Sequence, residues 1–172
     1  MPLRCRAFFL REEMDTYVIT LSQTFPVTHK RAGEPTDFEH KFTAATHKWL
    51  DHWWKRHTIR ANYELWRKRF EKIDAGKAQL SIRQWSGKPY ASKQVQLAVL
   101  TKADGIGIQK LQFDVDRDGM HSLNLIEIDG KSVSKELLAY NDGLKIEDWM
   151  EWFRRYDLSK PLAVIHFTSI RY

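Results

Sequence analysis

Cysteine is almost missing from this 172-residue chain: Cys5 stands alone. One thiol makes no intrachain disulfide and no cysteine zinc cluster, so a sulfur-stapled scaffold is excluded. A reducing, cytoplasmic setting is the matching expectation. Proline (five) and glycine (eight) are sparse, and the chain shows no internal repeat, low-complexity tract or interdomain linker. No apolar run approaches the roughly 18–20 residues that span a bilayer. Near the start, Ala7–Leu10 is too short an apolar run for a secretory signal. Residues 1–15 are expected to form an N-terminal extension and 16–172 a single domain.

The common cofactor motifs are also missing. Ser86-Gly87-Lys88-Pro89 has a glycine and a lysine but not the spacing of a P-loop, and reads as a hairpin turn. Asp104-Gly105-Ile106-Gly107 is too short for a dinucleotide fingerprint. Asp114-x-Asp116-x-Asp118-Gly119 opens like an EF-hand loop, but Leu125 stands where a bidentate glutamate is required. His47, His52 and His57 recur every five residues, which on a helix turns successive rings about 140° apart, so they do not converge. No metal or cofactor is expected.

What the chain does have is basic charge and tryptophan. Lys and Arg number 28 against 22 Asp and Glu, for a net charge of +6, with seven Trp. A basic balance favours anionic partners such as nucleic acid. Strand-type runs lie at 17–22, 57–60, 78–85, 93–101, 106–115, 122–129 and 161–169. Helices are expected from Thr36 or Asp37 through Phe42, over Ala44–Trp54, from Asn62 to about Ala75, over Val133–Tyr140 and over Ile146–Tyr156. In the third of these, Trp66, Phe70 and Ile73 recur at i, i+4, i+7 and should face the core, with Asn62 as N-cap and Gly76 as stop. Strands with helices inserted early and late predict an α+β fold: a small mixed β-barrel with flanking helices.

The densest polar chemistry is Lys55-Arg56-His57-Thr58-Ile59-Arg60. On a strand, Thr58 and Arg60 share one face with Arg56, while Lys55, His57 and Ile59 take the other. A bulge or helix end before His57 would let Lys55 reach Thr58. A hydroxyl beside a partly desolvated amine can act as a nucleophile, and Arg60 suits a carboxylate, phosphate or oxyanion. The alternative is a solvated basic strand end. A second grouping interleaves Trp49, Trp53, Trp54, Tyr63, Trp66 and Trp85 with Lys48, Lys55, Arg56, Arg67, Arg69, Arg83 and Lys88. Aromatic faces stack bases and cations track phosphates, unless these rings are core.

Lys55-x-x-Thr58-x-Arg60, Ser81-x-Arg83-x-Trp85-Ser86-Gly87-Lys88-Pro89, Asn141-Asp142-Gly143-Leu144 and the closing Val164–Thr168 together resemble an ASCH domain of the PUA-like superfamily. Lys55 and Arg60 match the family's Gly-x-Lys-x-x-x-x-Arg signature; Trp53 stands at its glycine and Thr58 where glutamate is common. Thr58 is what the small bacterial N4-acetylcytidine amidohydrolases of that superfamily carry. The resemblance implies a PUA-like barrel, with helix 62–75 and the hairpin near Asp116 as insertions. It implies Lys55 as base, Thr58 as nucleophile and Asp142 in the place of a supporting glutamate. Arg56, His57, Arg60, Arg83, Trp85, Lys88 and Asn141 would contact the ligand. The first expectation is a module that binds RNA or a modified nucleoside. The second is an amidohydrolase removing an acyl group from a nucleoside such as N4-acetylcytidine. The third is a ribonuclease using His57 with Lys55.

Overall fold

The computed structural model describes residues 14–50 and 52–172. Most of the expected 1–15 extension lies outside the described residues, but Asp15 is already strand. Eight strands and four helices follow one another as β1 (Asp15–Leu21), α1 (Phe38–Thr46), β2 (His57–Arg60), α2 (Tyr63–Asp74), β3 (Ala78–Trp85), β4 (Gln94–Leu100), β5 (Gly107–Val115), β6 (His121–Ile128), β7 (Lys131–Ser132), α3 (Lys135–Asn141), α4 (Ile146–Phe153) and β8 (Leu162–His166). The fold is α+β, and no described helix is long and apolar enough to cross a membrane.

The strands form two sheets, not the single closed barrel expected. One has the order β1-β3-β4, with β1 parallel to β3; the other has the order β2-β8-β5-β6-β7 and is antiparallel throughout. β1 and β2 are each an edge, and no ladder joins them. Instead the Arg60 side chain on β2 donates from Nη2 to the Thr20 carbonyl on β1, at 2.6 Å. A side chain takes the place of a backbone bond at this seam, so the wall stays unclosed there.

Both sheets turn apolar residues inward. Ile19, Leu21, Leu80 and Ile82 come from the smaller sheet, and Leu111, Phe113, Ile126 and Ile128 from the larger. All of β8 is buried, as a central strand covered on both faces should be. Helix α2 begins at Asn62, whose side chain accepts from the Leu65 amide, and stops before Gly76 in left-handed backbone. Its Trp66, Phe70 and Ile73 are buried, each side chain worth about 1.5–3 kcal/mol on leaving water. The helix packs against β3, β5 and β8. The expected insertion is therefore part of the core, bridging the two sheets.

The expected helix over Ala44–Trp54 is not formed: α1 starts at Phe38 and ends at Thr46. Lys48 takes the left-handed conformation (φ 55°) usually left to glycine, and the Trp49 amide closes the end on the Ala44 carbonyl at 3.0 Å. The Thr46 hydroxyl caps the Phe42 and Thr43 carbonyls. From there to β2 the described residues form no helix or strand.

Candidate functional site

The unclosed seam between β1 and β2 is a cleft. Leu21 and Ser22 line it from the end of β1, Thr58, Ile59 and Arg60 from β2, Phe38 from α1, and Trp152 and Phe153 from α4. Lys55 and Asp142 lie in the same lining. Its free volume is about 30 Å³, roughly the share of one water molecule.

Lys55 precedes β2, so strand alternation does not bind it. Its amide donates to the Lys41 carbonyl and that of Arg56 to the Asn141 carbonyl. This irregular stretch brings Lys55 to the cleft that also holds Thr58 and Arg60. Lys55 is 1% exposed, and its Nζ donates to Asp142 Oδ1 at 2.6 Å and to the Asp142 carbonyl at 2.7 Å. Nζ also lies 4.0 Å from the centroid of the Phe38 ring. Burial pulls the Lys55 ammonium down, opposed by Asp142; burial pushes the Asp142 carboxyl up, opposed by Lys55. Both shifts favour moving the proton from lysine to aspartate, since desolvation penalises the charged forms.

Asp142 is placed by the end of α3. It is the C-cap, and Gly143 follows in left-handed backbone (φ 78°). Gly143 N–H donates to the Tyr140 carbonyl and Leu144 N–H to the Ala139 carbonyl, a Schellman motif. A Cβ on Gly143 would lie 3.2 Å from Lys55 Cβ and 3.3 Å from Lys41 Cδ. The glycine thus serves the turn and lets the lysine stem pass. Gly143→Ala is expected to lower stability by about 2 kcal/mol through left-handed strain and crowding. Thermal unfolding reads this directly; an unchanged Tm would show that the turn does not need glycine.

Two cleft groups have spare capacity. The Thr58 hydroxyl has no hydrogen-bond partner among the described residues, although Thr58 is 6% exposed. Arg60 makes only its bond to Thr20, and no carboxylate among the described residues pairs with it. With Lys55 and Asp142 cancelling, the cleft has one net positive charge, carried by a guanidinium with donors to spare.

Behind the cleft, His57 pairs across the ladder with His166 and turns away from Thr58. Its Nε2 meets the Tyr172 hydroxyl at 2.7 Å, and its Nδ1, 3.9 Å from Asp142 Oδ1, has no hydrogen-bond partner. Both ring nitrogens of His166 are buried and unpartnered. Burial lowers His166 to about 3 and holds His57 well below the ordinary histidine range, helped by His166 and Lys55. Asn141 donates to Tyr172 and accepts from Arg56 Nη1, so these two join α3 to β2 and do not line the cleft. Arg83, Trp85 and Lys88 are not brought to it either. Arg83 bonds Ser81 on the smaller sheet, Trp85 packs on Tyr90, and Lys88 is exposed in the turn. The sequence reading missed Phe38, Trp152 and Phe153 as walls, since nothing in their own neighbourhoods marks them.

Compared with family models, with curated proteins and with solved structures, the chain matches none.

Proposed function

We propose that the cleft is an acyl-transfer site that hydrolyses an amide on a modified nucleoside, with N4-acetylcytidine as the first candidate, on an ASCH-like framework. The observation that carries this reading is the convergence of a desolvated Lys55–Asp142 pair, an unpartnered Thr58 hydroxyl and an unpaired Arg60 guanidinium on one cleft. A surface that only tracks phosphates has no use for an amine buried against a carboxyl group. A cleft with about 30 Å³ of free space admits no strand of RNA.

In this mechanism Asp142 takes the proton of Lys55, which frees the amine's lone pair. The amine removes the Thr58 hydroxyl proton as the oxygen attacks the acyl carbon. Arg60 donates to the oxyanion that forms. Collapse breaks the C–N bond, the leaving amine takes the proton, and water then hydrolyses the threonine ester. The ribonuclease reading draws less support, because His57 points away from the cleft and is held neutral.

The experiment is chromatography of N4-acetylcytidine incubated with wild type, Thr58→Val and Arg60→Gln. Wild type is expected to release cytidine and acetate. Thr58→Val should lose at least about a hundredfold, as should Arg60→Gln. Absence of cytidine with wild type, or undiminished turnover by Thr58→Val, would sink the reading.

A further inference from the structure

Phe38 is a shared wall. One side of it faces the Lys55–Thr58 cleft; the other faces a separate cavity of about 470 Å³ between α1 and the smaller sheet. That volume lies within the range of small-molecule sites, roughly 300–1,000 Å³. Gln84, Trp49, His40 and Gln23 line it, with Asp37 and Glu39 among the remaining walls.

Gln84 lies opposite Leu21 in the β1–β3 register, next in the inward row after Leu80 and Ile82. It is 6% exposed, yet its amide makes no hydrogen bond to any described residue. Its amide faces the cavity, where solvent completes it, and a ligand edge with matching donors and acceptors can take the solvent's place. Trp49, 39% exposed, offers a flat face at the rim. Its ring is surrounded by His52 at 5.3 Å, His40 at 5.7 Å and His47 at 6.0 Å, and its carbonyl accepts from Trp54 Nε1. The irregular path after Lys48 gathers these imidazoles. Two carboxylates on the wall oppose a phosphate group.

We propose that this cavity binds a planar, uncharged heterocycle with an amide-like edge, the chemistry of a nucleobase, stacked on Trp49 and read by Gln84. Resting on the acyl-transfer reading, the cavity is the ring subsite, and displacement of Phe38 joins it to the cleft that takes the acyl group.

Isothermal titration with cytidine, uridine, adenosine and guanosine tests the binding, with cytidine 5′-monophosphate as the charged probe. At least one nucleoside is expected to bind, and cytidine more tightly than its monophosphate. Gln84→Leu, close in volume and apolar like its row, should weaken the bound nucleoside by about tenfold or more, and Trp49→Ala by a similar factor. Circular dichroism checks that both variants fold; Trp49, at the rim, keeps the test open if Gln84→Leu does not. Failure of all four nucleosides to bind up to millimolar concentration would overturn the proposal. So would affinity unchanged in either folded variant. The two readings fail separately. Nucleoside binding lost in Gln84→Leu without any turnover of N4-acetylcytidine leaves the subsite and removes the acyl-transfer reaction. Turnover with an unaltered KM in Gln84→Leu removes the subsite and leaves the reaction.

Discussion

Lys55→Met is expected to destabilise the protein by about 3–5 kcal/mol, because it strands the Asp142 carboxylate without its partner. Set against the 5–15 kcal/mol typical of a folded domain, that is a large share. The loss does not measure the worth of the pair. Two desolvated charges regain roughly what their burial costs, so an apolar replacement of both is often neutral. The double variant Lys55→Met/Asp142→Leu should therefore recover most of the stability that the single change removes. Urea unfolding at neutral pH reads both. Equal losses in the single and double variants would mean that the lysine stem, packed against Gly143, matters more than its charge. Recovery of stability with no recovery of activity would identify a pair kept for chemistry at no gain in folding.

The second large effect is loss of stability in acid. His166 and His57 are buried neutral, with His166 lowered to about 3 and His57 also well below its ordinary value. The unfolded chain takes up protons at both rings near pH 6.5, while the folded chain resists until much lower pH. Stability from this source is complete above about pH 6.5 and falls as pH drops toward the folded values. Between pH 6.5 and 4 His166 alone should cost about 3 kcal/mol, and His57 adds to it. Asp142, raised by burial, works in the opposite direction at low pH. It acts on wild type and His166→Phe alike, so the comparison reads His166 together with its effect on His57. Unfolding midpoints from pH 7 to 4 should fall less steeply in His166→Phe. Parallel slopes would mean that His166 is not the group that titrates.

Local chemistry made much of the scaffold readable. Helix α2 announced itself by a cap, a stripe and a stop: Asn62, then Trp66, Phe70 and Ile73, then Gly76. Strand β1 was legible from its β-branched and aromatic run, Tyr17, Val18, Ile19 and Thr20. The end of α1 was not, because Lys48 occupies a conformation that advertises itself only when glycine holds it. The gathering of His40, His47 and His52 around Trp49 stayed hidden for the same reason, since a helix continued through Trp54 would have turned His52 about 140° from His47. In the candidate site, Lys55, Thr58 and Arg60 were visible because they lie close together in the chain. Asp142 came only through a resemblance, and its distance from Lys55 is a matter of how α3 meets the stretch before β2. The unclosed seam had no sequence signal, since whether two edge strands pair depends on the whole packing of α2 between the sheets.

That seam has a mechanical meaning. Within each sheet the strands are laced by ladders that resist shear, but among the described residues β1 and β2 are tied by one guanidinium reaching one carbonyl. Parting them breaks a side-chain contact and no backbone lattice, so each sheet keeps its internal bonding while the wall opens. A pocket the size of a water molecule then behaves as a zipped purse whose single clasp is Arg60. A substrate oxygen that competes with Thr20 for that clasp would loosen the wall as it enters.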